Sequence, residues 1–119
     1  MPNDVSHAIN LHDVKIDAVA FKEGDIYIAQ GLQYDISAQA ATLGELFKKF
    51  TLAVVANMAI SIDLGRNPLE GIPAAPQKFW EMFEETHVTV DVTPEPASIR
   101  TPSIMSAVRP RMKLMEAHP

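Results

Sequence analysis

The hydrophobic period of this chain changes along its length, and the order of those changes limits the folds open to it. Residues alternate in the two-residue period of a half-buried strand through Val14–Phe21, and Ile26–Tyr34, beyond a tight turn, reads as the second strand of a hairpin. From Thr42 towards Leu64 the spacing becomes helical, and Val88–Val92 alternates once more. Strands, a long helix and a returning strand imply an α+β domain. The expected form is a small antiparallel sheet in the order β-β-β-α-β packed on one long helix, with a short second helix and an irregular C-terminal tail.

Local signals sharpen the boundaries. In the first strand Val14, Ile16, Ala18 and Ala20 share one face, and Lys15, Asp17, Val19 and Phe21 share the other. The second face turns apolar at its end, so cover is expected there too. Lys22–Asp25 is a turn in which Gly24 is free to take positive φ. Gly31 in the second run predicts a bulge or break, giving two strand segments. Ile36–Ala41 fits either a short third strand or the turn into the helix.

Thr42-Leu-Gly-Glu45 is a capping box: the Thr42 hydroxyl can accept the Glu45 backbone N–H, and the Glu45 carboxylate can reach back to Thr42. On a helical wheel Leu43, Leu46, Phe47, Phe50, Val54 and Ser61 cluster on one side. Glu45, Lys48 and Lys49 stand opposite, but that side continues into Leu52, Ala56 and Ala59 before Asp63 restores charge. A helix with so little polar face needs cover from the tail or from another subunit. Ile60–Leu64 also alternates like a strand, which leaves the helix end open. Gly65 suits the position after a helix C-cap, with Pro68 beyond it. Gly71-Ile-Pro-Ala-Ala-Pro76 is rigid loop, and Pro76 opens a short helix over Gln77–Glu85 with Phe79, Trp80 and Phe83 as packing anchors.

At 119 residues, 47% of them apolar, the chain is one domain with a real core and no need of staples. It divides into a polar segment (1–13), the α+β domain (14–93) and a proline-containing basic tail (94–119) that Pro94, Pro96, Pro102 and Pro110 keep from forming one long helix. The absence of cysteine excludes disulfides, thiolate catalysis and cysteine metal sites, and fits a reducing compartment. The first residues lack the features of a signal peptide, and Leu52–Ile62 is too short to span a bilayer, so a cytoplasmic protein without a membrane partner is expected. The net charge of −5 argues against nucleic acid as a partner. The charge is uneven: residues 1–93 hold six Lys/Arg against thirteen Asp/Glu, and residues 94–119 hold four against two. A basic tail beside an acidic body is expected to dock on something acidic, such as a sister subunit.

Candidate chemistry is sparse. His7, His12, His87 and His118 show no metal-ligand spacing, and Ser37, Ser61, Ser98, Ser103 and Ser106 lie in no nucleophile motif. Asp17, Asp35 and Asp91 on strands, with Glu45 and Asp63 on the helix, could converge on magnesium as in two-metal nucleases, although solvated surface charge accounts for them as well. The dispersed glycines form no phosphate loop. Arg109–Lys113 could contact phosphate or an acidic surface, and Trp80 with its neighbouring aromatics could form a platform, core packing being the plainer role. No catalytic residue, metal ligand or cofactor is assigned. The expected partner and oligomer contacts are Leu52, Ala56, Ala59, Arg109, Arg111 and Met112.

Three segments carry a family resemblance. Asp25-Ile-Tyr-Ile-Ala-Gln as the second strand, Ala41-Thr-Leu-Gly-Glu-Leu at the helix start and Gly71-Ile-Pro-Ala-Ala-Pro in the loop resemble the HicB-like antitoxin family over about Val14 to Val92. The resemblance implies a degenerate ribonuclease-H-like β-β-β-α-β domain without catalytic acids, which in toxin–antitoxin pairs covers a small ribonuclease toxin. Three departures stand out. The family's Pro-x-x-Gly segment is here Leu32–Ser37, the helix-start glycine is replaced by Ala40-Ala41, and no helix-turn-helix or ribbon-helix-helix pattern follows, so operator autoregulation is not expected. The expected function is therefore a non-enzymatic interaction domain that forms a homo-oligomer and masks a small basic toxin protein. The alternatives are a metal-dependent nuclease of ribonuclease-H-like fold and an orphan structural or ligand-binding homo-oligomer.

Overall fold

The computed structural model describes residues 14–90 and 108–116. Strands β1 (Val14–Glu23), β2 (Ile26–Gly31) and β3 (Ser37–Ala40) precede helix α1 (Leu43–Asp63), helix α2 (Gln77–Glu85) and strand β4 (Val108–Leu114). The sheet order is β3-β2-β1-β4. The α+β class and the element order are as expected. Two features of the sheet correct the sequence reading. β4 runs parallel to β1, with Ala18 opposite Met112, so the sheet is not wholly antiparallel. The fourth strand also comes from the tail, which is therefore not irregular throughout. Val88–Val92 is not that strand: its described part, 88–90, lies against the outer edge of β4 through a Thr89–Lys113 bridge. Residues 91 and 92, and the polar segment 1–13, lie outside the described residues.

The hairpin forms as its turn residues require. Gly24 opens a two-residue connection at φ 62°, and Glu23 pairs with Ile26. Gly31 ends β2 because the chain closes on itself there: its N–H donates to Ile36 O at 2.8 Å, and a Cβ would stand 2.7 Å from Tyr34 O. Beyond the turn the chain forms β3 over Ser37–Ala40, so most of Ile36–Ala41 is strand and Ala41 already belongs to the turn into α1.

Both ends of α1 follow their signals. The Glu45 N–H donates to Thr42 Oγ1 at 3.2 Å; among the described residues no return bond from the Glu45 carboxylate is made. At the other end Gly65 N–H donates to Ile62 O and Arg66 N–H to Ser61 O, both at 2.9 Å, with Gly65 at φ 75°. These two bonds are the Schellman pair, so Ile60–Leu64 continues as helix and does not become a strand. The loop beyond is pinned by Leu69, buried at φ 66°, whose N–H donates to Ser61 Oγ at 3.1 Å.

The sheet has two covered faces of unequal size. Leu46, Phe50, Val54 and Met58 of α1 pack on Ile16, Ala18, Ala20, Ala29 and Met112. The alanines keep that side of the sheet low, so the large side chains come from the helix and fill the gap. On the other face α2 sits over the far part of β1: Val19, Leu32 and Phe83 form a second cluster, and Phe79 stacks on Phe21 with centroids 6.3 Å apart. This is the cover expected from the apolar end of that face. Among the described residues no helix is long and apolar enough to cross a membrane.

Candidate interaction surface

Among the described residues helix α1 has one buried side and one exposed side. Leu46, Phe50, Val54, Met58 and Ser61 face inward. Outward stand Lys48, Lys49, Leu52, Ala56, Ala59, Ile60 and Asp63, all exposed. Leu52 is 45% exposed, Ile60 57% and Leu64, at the cap, 62%. Most exposed large apolar residues of the described chain lie on this helix or its cap. The expected contacts Leu52, Ala56 and Ala59 therefore share one open stripe. Ile60 and Asp63 extend it and were missed as contacts because of the strand-like alternation of Ile60–Leu64. Their spacing from Ala56, four and seven residues, was the signal that could have placed them.

The tail residues behave differently. Met112 is fully buried in the chain's own core, so its assignment as an oligomer contact is corrected: it faces α1 beside Ala18. Arg109 is exposed. Arg111 donates from Nε to Asp17 Oδ1 at 2.8 Å and lies over the Phe83 ring at 5.3 Å. Lys113 Nζ stands 4.1 Å from the same ring centroid. Described tail and body thus meet within one chain.

Asp17 is the junction of that contact. The sequence reading missed Gln33, whose side chain accepts from the Asp17 N–H at 2.7 Å and donates to Asp17 Oδ2 at 2.9 Å. Beyond the end of β2 this amide stands in for a strand partner. Burial alone pushes the Asp17 carboxyl up, but hydrogen bonds from Arg111 and Gln33 and the charges of Arg111 and Lys113 outweigh it and hold the group below its ordinary value. The bond and charge of Asp17 in turn raise Arg111.

The other candidate acids are dispersed. Asp17 lies on the α2 side of the sheet, whereas Glu45 belongs to α1 on the opposite side. Asp35 Oδ1 accepts from Gln30 Nε2 at 2.7 Å, and Asp91 lies outside the described residues. Among the described residues no group of three or more His, Asp or Glu could hold a metal ion. Of the expected aromatic anchors, Phe83 is buried, and Trp80 is half-buried with Nε1 donating to Ala75 O at 3.2 Å. A hollow of about 350 Å³ beside Trp80 is lined by Gln77, Glu81, Glu84 and Glu85 of the same helix.

No family model matches the chain, and neither a curated protein nor a solved structure matches it.

Proposed function

We propose that this chain is a protein-interaction domain without catalysis of its own, working in the cytoplasm and holding its partner on the outward side of α1. The observation that carries this reading is the stripe of Leu52, Ala56 and Ile60 on a helix whose inner side is already packed. Apolar groups placed contiguously on a surface favour a contact that removes them from water. The resemblance to HicB-like antitoxins adds a small basic toxin as the partner it implies, although the strand that closes the sheet is Val108–Leu114 and not Val88–Val92. The nuclease alternative has no comparable support, since Asp17 and Glu45 stand on opposite sides of the sheet.

The test is capture from the native host's lysate with tagged wild type and with the tagged Leu52→Glu/Ile60→Glu variant, scored for other proteins and for untagged copies of the chain. Both substitutions are at exposed sites, so the variant should keep the wild-type circular dichroism spectrum. Partners bound by wild type and lost by the variant support the reading. An identical set on both baits refutes it.

A further inference from the structure

The outward stripe of α1 is palindromic in position. Counted from Ala56, Lys49 and Asp63 stand seven residues to either side, and Leu52 and Ile60 stand four to either side. At 100° per residue, these positions lie within about 40° of the direction of Ala56. All five are exposed. The two apolar residues occupy the inner pair of positions, and opposite charges occupy the outer pair.

We propose that α1 pairs antiparallel with α1 of a second copy of this chain about a two-fold axis at Ala56. This rests on the reading of α1 as the contact surface and names its occupant. A two-fold axis carries each residue at a given height above Ala56 to the same height below it, where it meets its positional mirror. Lys49 then stands beside Asp63 of the second copy, and Asp63 beside the second copy's Lys49, closing two ion pairs about 10 Å from the axis. Leu52 packs beside the second copy's Ile60 on each side of the seam. A parallel pairing in register would instead place lysine against lysine and aspartate against aspartate, which charge repulsion disfavours.

The residue on the axis suits the approach. Ala56 has a single methyl group, and Ala59 flanks it on the same side. Small residues at a crossing permit interaxial distances near the short end of the usual range, about 8 Å. With Cα atoms about 2.3 Å from each helix axis, the two Ala56 positions then fall within the ~6 Å that a disulfide spans. The stripe is thus apolar at its centre and polar at both ends, the arrangement of a contact with a dry core and a charged rim.

The absence of cysteine makes cross-linking a clean test on the full chain. Oxidised Ala56→Cys should link to itself. Lys49→Cys alone should not, because the two copies of that position lie about 21 Å apart, but mixed with Asp63→Cys it should give the heterologous product. By sedimentation, Lys49→Glu should weaken the dimer about tenfold and Lys49→Glu/Asp63→Lys should restore it. Self-linking of Lys49→Cys, or an oligomer in which Ala56→Cys does not link, overturns the pairing. If the oligomer is nonetheless lost in Leu52→Glu/Ile60→Glu, the contact surface stands and only its register fails. An oligomer indifferent to that double variant removes the surface as well, and a wild-type monomer at high concentration removes self-pairing.

Discussion

Met112→Ala is expected to destabilise the single chain by about 3–4 kcal/mol, in the upper part of the range for truncating a buried methionine to alanine. Met112 is fully buried, and its neighbours on β1 are Ala18, directly opposite, with Ile16 and Ala20 on the same face. Alanines have no rotamers with which to refill a cavity, so on the sheet side only Ile16 or the backbone could move in, and from α1 the packed Leu46, Phe50, Val54 and Met58 would have to leave their own contacts. With a urea dependence of about 2 kcal/mol/M, typical for small domains, the midpoint should fall by roughly 1.5–2 M. Unfolding would be followed together by circular dichroism and by the fluorescence of Trp80, over a range of protein concentrations. Arg109→Ala, an exposed change on the same strand, is the control and should stay within about 0.5 kcal/mol. If β4 were an arm held only by another subunit, Met112→Ala would alter the concentration dependence and leave the dilute chain nearly intact. A loss below about 1 kcal/mol in dilute protein refutes the assignment of β4 to the core.

Two further outcomes follow from other parts of the sheet. Because the folded Asp17 carboxyl is held below its ordinary value, its stabilising contribution is complete above the unfolded value near 3.9 and is lost as pH falls through the folded one. The advantage of wild type over Asp17→Asn in urea should therefore be present at pH 7, small because Arg111 is exposed, and shrink below about pH 4; a difference independent of pH counts against the pairing. Gly31→Ala should cost about 1–3 kcal/mol by the same urea assay, since its Cβ would stand 2.7 Å from Tyr34 O and 3.1 Å from Ile16 Cδ1; a neutral result would show that the turn relaxes freely.

What was legible in the sequence is what local chemistry decides. The hairpin follows from the alternation of Val14–Phe21 and from Gly24, the start of α1 from Thr42, and α2 over Gln77–Glu85 from Pro76 and the aromatic spacing, whereas the end of α1 stayed open until the bonds of Gly65 and Arg66 closed it. The tail prolines told only against one long helix, and the alternation of Val108, Pro110, Met112 and Leu114 with Arg109, Arg111 and Lys113 was not read as β4; a proline in a strand also argues against pairing on both sides. The structure shows why it is tolerated. Leu114 N–H donates to Val88 O, and Met112 O accepts from Val90 N–H, so the even-numbered residues of β4 turn their peptide groups away from β1. Pro110 shares that orientation, and the hydrogen bond its nitrogen lacks is not one that holds β4 to β1. No local pattern announces this, because it depends on which side of the strand meets a partner distant in the chain.

The charge split was legible in kind but not in its address. A basic tail beside an acidic body implies docking, and the described part of the tail docks on its own body: Arg111 on Asp17 and Phe83, Lys113 on Phe83. Once that strand lies in the sheet, its positive charge is spent at the α2 face and is not available to cover α1. Among the described residues nothing else lies over the outward stripe of α1, and the stripe itself brings both signs of charge, Lys49 at one end and Asp63 at the other. A surface that carries its own complement, reversed end for end, has in a second copy of itself a partner that satisfies both charges at once. That is the physical reason for looking to self-pairing on α1 before looking to the tail.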